Sequence, residues 1–304
     1  MKTKKIKKIS KCIDIDAQKY ENYPPANYTG FNGYHTLPSN FTRSVNELGG
    51  CCGVEIEMSF DKNEWGRKIF TDSLSSNLIW ASSDGSLSGV QPLEICTVPL
   101  MRYDATSPAF WKPLCKRLVQ LGARSRKNAT TGLHVHVDRR NFYSKTDRAG
   151  SDEYEIMCAR TIYGLYVQDA PWKKTLFQRS NNNYAVKNIQ GEIMKVVQTI
   201  LPEAIRSKEC VEKIINEARG GAIERYSEFN CTNAKTIEFR CGKGTLNPER
   251  IAATAEFALI FADYCKAYGK RIPMTSQKHF EAFIGRHTRK NSMLRTIFKP
   301  SEEE

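Results

Sequence analysis

Four short segments of this chain alternate apolar residues with ionisable ones, and a period of two restricts each to a β-strand whose two faces differ in chemistry. In "TGLHVHVD" (Thr131 to Asp138), Leu133, Val135 and Val137 point one way and His134, His136 and Asp138 the other. In "CGVEIEMSF", Val54, Ile56, Met58 and Phe60 oppose Glu55 and Glu57. In "KTIEFRCG", Ile237 and Phe239 oppose Glu238 and Arg240, and in "VQPLEICTVPL", Glu94 stands between Leu93 and Ile95. One face of each strand is core; the other meets water or does chemistry.

A solvated face of an antiparallel sheet usually draws on Lys, Thr, Ser and Gln. Here two of the five histidines in the chain share one strand face. Two carboxylates on one face of a strand, as Glu55 and Glu57 are, lie about 7 Å apart, twice the per-residue rise. That spacing is too wide for a shared proton and suits two neighbouring cations. If the four strands join one sheet, its polar face gathers Glu55, Glu57, Glu94, His134, His136, Glu238 and Arg240. Clustered acids repel one another unless a cation compensates, and carboxylates with an imidazole suit Mg²⁺ or Mn²⁺ better than a closed zinc cage. The plain alternative is an exposed sheet carrying incidental acids.

Composition removes several classes. No apolar run approaches the length of a bilayer span, and the basic start "MKTKKIKKISK" leads into no apolar segment, so the expectation is a cytoplasmic protein without a membrane partner. The ten cysteines contain no C-x-x-C pair and read as buried thiols in a reducing compartment. Of the net charge of +13, six positive charges belong to Lys2, Lys4, Lys5, Lys7, Lys8 and Lys11; taking those six from +13 leaves +7 for the rest. The lysine tail is solubilising or meets an acidic partner, and a basic body suits ATP and Mg-phosphate chemistry.

Residues 1–50 are rich in Lys, Tyr, Asn, Pro and Gly and read as an extended N-terminal arm. Strands are expected near 52–60, 77–82, 92–98, 131–138, 222–231 and 235–242, with helices over 107–122, 151–170 and 189–218. A last helix has Asn247 as N-cap, Pro248 at its first position and Gly269 past its end, with Ile251, Ala255, Ala258, Ala262 and Cys265 forming a buried stripe. The expected fold class is α+β: one catalytic domain over 51–290, a helical insertion at about 151–218, and a tail at 291–304.

These strands carry a resemblance. "GVEIEM" is similar to the E-x-E strand of the glutamine synthetase superfamily, "NATTGLHVHVD" to its Gly-x-His-x-His strand and "TIEFR" to its Ile-Glu-x-Arg strand, in the same chain order. Together with "SSDGSL", "PLEICTVPL", "RYSEFN" and "TIEFRCGKGTLN" they resemble the amidoligase family, a carboxylate-amine ligase branch seen in phages and bacteria. The resemblance spans about Cys51 to Ala262. It implies a glutamine-synthetase-like fold, a curved antiparallel sheet forming a bowl with helices behind, over ATP and two or more Mg²⁺ or Mn²⁺ ions. It assigns Glu55, His134 and Glu238 to one metal and Glu57 with Glu94 to another. His136 falls near the ATP phosphates and Arg240 on the transferred phosphoryl group. Arg179, Arg225 and Asn230 match positions that meet phosphate or the substrate carboxylate. Asp84 and Glu94 lie where branches of the family differ most.

The implied reaction joins a carboxylate to an amine: ATP phosphorylates the acid, and the amine attacks the acyl phosphate. Such chemistry needs positioning and positive charge but no covalent nucleophile. A metal-dependent phosphodiesterase or nuclease, which needs no nucleoside triphosphate, is the rival enzyme class. A non-catalytic module binding a basic peptide in the acid-lined bowl is the third reading. The acid and amine, small molecules or peptide side chains, are not legible, because substrate choice lives in loops.

Overall fold

The computed structural model describes residues 50–60, 64–73, 79–82, 87–125, 130–142, 151–178, 227–233, 235–269 and 276–298. Period-two alternation gives strands where it predicts them: β1 (Cys51–Met58), β2 (Ile79–Ser82), β3 (Leu93–Thr97), β5 (Gly132–Asp138) and β7 (Thr236–Lys243), with short β4 (Leu100–Met101) and β6 (Phe229–Asn230). The strand order is β2-β3-β1-β5-β7-β6, with β4 pairing on β1. β1 pairs antiparallel with β3 and β4, β2 with β3, and β6 with β7. The fold is therefore mixed α and β with helices on the apolar side of the sheet. The expected segments 1–49 and 189–218 lie outside the described residues.

The chain forms two units. The first runs to Val135 and takes back Lys243–Ala255; the second holds His136–Gly242 and the chain from Glu256 onward.

In the first unit the apolar sides of the strands are sealed: Ile56, Met58, Leu93, Ile95, Leu133 and Val135 are all at most 1% exposed. Helices α1 (Glu64–Ser73), α2 (Arg102–Ala105) and α3 (Pro108–Gln120) belong to this unit. Pro108 opens α3 at a position where its missing N–H costs nothing. Phe110, Trp111, Leu114, Cys115 and Leu118 bury one face, and Trp111 Nε1 donates to the Ala105 carbonyl at 2.8 Å. The helix stops at Gly122, whose φ of 90° closes a Schellman turn: Ala123 N–H donates to Leu118 O at 3.0 Å and Gly122 N–H to Val119 O at 3.0 Å. That reversal lets Arg124 pair with Ser59 through two backbone bonds of 2.8 and 2.7 Å, which brings Ser125 beside the end of β1.

The second unit is built on aromatic rings. Phe229 on β6 stands opposite Phe239 on β7, their centroids 5.1 Å apart. Tyr163 of α4 (Ser151–Tyr166) stacks on Phe229 at 5.1 Å, and Phe261 of α6 (Pro248–Tyr268) lies 5.5 Å from both Phe229 and Phe239. Each such pair contributes about 0.5–1.5 kcal/mol beyond its buried area. Trp172, just before α5 (Lys173–Phe177), extends the cluster to Phe257 at 5.4 Å.

Asn247 caps α6 as expected, its Oδ1 accepting the Arg250 N–H at 3.0 Å. The expected stripe on this helix is buried, and burial extends beyond it to every residue from Ile251 to Ala262. A helix that is apolar nearly all round is a central helix, and its small alanines admit neighbours on every side. Helices α1, α7 (Gln277–His287) and α8 (Met293–Ile297) were not expected from the sequence. Ser276 and Ser292 cap the last two, accepting from His279 N–H and Leu294 N–H at 3.1 Å each. Among the described residues no helix is long and apolar enough to cross a membrane.

Candidate metal centre

The register between β1 and β3 sets Glu57 opposite Glu94 and Glu55 opposite Cys96. Directly paired residues project to the same side, so three acids and a thiol share one face. β2 continues that face with Ser82 opposite Glu94 and Trp80 opposite Cys96. His134 on β5 joins it: its Nδ1 is 3.2 Å from Glu55 Oε2 and 3.6 Å from Glu57 Oε1. Candidate ligand atoms of Glu57, Glu94 and His134 all lie within 4.8 Å of one another, and those of Glu55, Glu94 and Cys96 do likewise. Glu94 belongs to both groups.

Glu57 is 3% exposed and His134 2%, so their positions are fixed by protein and not by water. Glu57 Oε2 accepts the backbone N–H of Gly132, and Ser125 Oγ donates to the Glu57 carbonyl at 2.6 Å. Thr131 Oγ1 donates in turn to the Ser125 carbonyl, and Gly244 N–H to the Thr131 carbonyl at 3.1 Å. Gly244 has to be glycine in this setting. A Cβ there would stand 2.6 Å from Thr131 Oγ1 and 2.8 Å from Thr131 Cβ, and closer still to Ser125 Oγ.

The second unit carries the other polar strand face. Glu238 Oε2 accepts from Asn230 Nδ2 at 2.8 Å and its Oε1 from Arg240 Nη1. The orientation of the Asn230 amide is set by Thr232, whose N–H and Oγ1 both reach Oδ1, at 2.9 and 2.7 Å. His136 Nδ1 is 3.3 Å from Thr236 Oγ1, and its Nε2 is 3.8 Å from Glu238 Oε1. Asp138, on the same strand face as the two histidines, turns to Arg140 instead and caps the strand end.

Of the residues singled out from the sequence, Glu55, Glu57, Glu94 and His134 come together in the first unit, and His136, Asn230, Glu238 and Arg240 neighbour one another in the second. Asp84, Arg179 and Arg225 lie outside the described residues. Cys96 was read as an ordinary buried thiol. Its parity with Glu94, two residues earlier on the same strand, was the available signal. Burial first, then the charges of Glu55 and Glu94, push this thiol far above its usual range.

A second ionisable group inside the protein escaped the sequence reading. Lys173 Nζ donates to both oxygens of Glu228 at 2.6 Å and to the Gln168 carbonyl at 2.9 Å, with both side chains under 10% exposed. Tyr163 O–H completes the shell at 3.2 Å. Burial raises the Glu228 carboxyl above its ordinary range, and Lys173 pulls it partly back. Burial likewise raises the Tyr163 hydroxyl. Aromatic surroundings and distance along the chain from the acid cluster make this pair part of the second unit's interior.

No family model matches the chain, and no curated protein does.

The donor set of the first unit fits a hard divalent cation. Carboxylate oxygens with one imidazole are ligands that Mg²⁺ and Mn²⁺ accept, and open coordination positions would remain for water or a phosphate oxygen. Acids packed this closely, one of them the buried Glu57, repel one another without a cation between them.

Proposed function

We propose that this protein is an ATP-dependent carboxylate-amine ligase with a glutamine-synthetase-like fold, in which Glu55, Glu57, Glu94 and His134 hold divalent metal. The observation that carries the reading is the convergence of Glu57, Glu94 and His134, from three neighbouring strands, with ligand atoms within 4.8 Å. The order of the sequence motifs supports the reaction class. The same resemblance gives Glu238 to the metal ligands, and His136, Arg179, Arg225 and Arg240 to phosphate.

A divalent ion held by Glu55, Glu57, Glu94 and His134 would supply positive charge against phosphate oxygens. The residues of the chain bind and orient. Gly132 N–H fixes the Glu57 carboxylate, and the sealed layer of Ile56, Ile95 and Val135 beneath keeps the acid-bearing strands from shifting. Arg240 carries a fixed positive charge suited to a transferring phosphoryl group. Asn230, which the resemblance sets toward phosphate or the substrate carboxylate, also donates to Glu238.

The test offers the purified chain Mg-ATP with mixtures of amino acids, polyamines and peptides and follows release of ADP and phosphate. Mass spectrometry then seeks products equal to two components minus water. Turnover that needs both an acid and an amine, and disappears in Glu57→Gln, supports the ligase. Phosphodiester cleavage without ATP, or full activity in Glu57→Gln, refutes it. Thermal stabilisation by Mg-ATP separates the two enzyme classes before any substrate is known.

A further inference from the structure

We propose that the metal centre has two unlike positions, and that the one formed by Glu55, Glu94 and Cys96 takes a thiophilic divalent ion of the Zn²⁺ or Co²⁺ kind. This rests on the reading of the acid face as a metal centre and goes beyond it, because Mg²⁺ chemistry gives a sulfur ligand no part. Two of the donor groups share Glu94 and differ in the rest: Glu57 and His134 in one, Glu55 and Cys96 in the other. A carboxylate that offers one oxygen to each of two ions is the usual bridge of a two-metal site, whose ions sit about 3.5–4 Å apart.

Cys96 is placed for ligation by the fold and not by the core. Cross-strand pairing puts it opposite Glu55, on the polar side of β3, while Leu93 and Ile95 fill the apolar side. The thiol is 8% exposed, so it is held among the acids and away from bulk water. Tetrahedral Zn²⁺, with bonds of about 2.0–2.3 Å, sets its ligands about 3.3–3.8 Å apart. Donor atoms already within 4.8 Å reach that arrangement by rotamer adjustment. On binding, the S–H proton leaves to solvent and the sulfur lone pair forms the metal bond, with no change of oxidation state. The fourth position stays open to water or to a phosphate oxygen.

The experiment titrates the full chain with Co²⁺ and records the near-ultraviolet thiolate-to-cobalt charge-transfer band, with Mn²⁺ binding followed separately by electron paramagnetic resonance. The band is expected in the native chain and absent from Cys96→Ser, which keeps its Mn²⁺ affinity. Zn²⁺ affinity of that variant should fall by at least the roughly 10–100-fold that loss of even an outer-shell partner costs. A band that persists in Cys96→Ser, or is missing from a native chain that binds Mn²⁺ and loses it in Glu57→Gln, overturns the thiophilic position and leaves the hard-metal centre standing. A native chain that binds neither ion overturns both. Zinc X-ray absorption on the native chain needs no variant: one sulfur at about 2.3 Å is expected, and a shell of oxygen and nitrogen alone contradicts the proposal.

Discussion

Glu57 and His134 approach to 3.6 Å with both side chains almost wholly buried, one on β1 and the other on β5. Glu57→Gln keeps an oxygen for the Gly132 N–H and removes the charge a cation needs. The variant should fold, and its Mn²⁺ affinity should drop at least about tenfold. Isothermal calorimetry beside a thermal melt without metal measures both.

Glu94 is common to the donor group with Glu57 and His134 and the one with Glu55 and Cys96, so Glu94→Gln should weaken both positions where Cys96→Ser weakens one. Equilibrium dialysis with Mn²⁺ and Zn²⁺ together reads this as stoichiometry. Two ions are expected for the native chain, one for Cys96→Ser and fewer than one for Glu94→Gln.

Gly244→Ala places a methyl group against Ser125 and Thr131, the residues that steady Glu57 from below. Overpacking of this kind costs about 1–3 kcal/mol. Chemical denaturation should show that loss, and metal affinity should fall with it although no ligand has changed.

Lys173→Met leaves Glu228 buried and unpaired, which costs about 3–5 kcal/mol, whereas Lys173→Met with Glu228→Gln should cost much less than the two singles added. The carboxyl of Glu228 is raised in the folded chain. Its contribution to stability is therefore fully present below its ordinary value and is lost as pH rises through the folded value. Denaturation measured at successive pH values should show that decline in the native chain and a flatter profile in the double variant.

The strands that carry the candidate site were legible because parity is local: once Ile56 and Val135 must be buried, Glu55, Glu57, His134 and His136 have nowhere to point but the other face. The cap of α6 was legible for the same reason, since Asn247 and Pro248 act within one turn. What parity cannot give is register, and it is register that sets Glu55 against Cys96 and Glu57 against Glu94. The supports of Glu57 were hidden too, because Ser125 Oγ reaches it across 68 positions and Gly244 joins from still farther along the chain. On helix α6 the buried stripe was legible from spacing, but not that its alanines also permit close packing on the remaining faces.

Crystals grown or soaked with Mn²⁺ test the account most directly, through anomalous scattering at the manganese edge. A peak coordinated by Glu57, Glu94 and His134 is the result predicted. A peak confined to other residues, or none at a concentration that saturates the chain in solution, contradicts it.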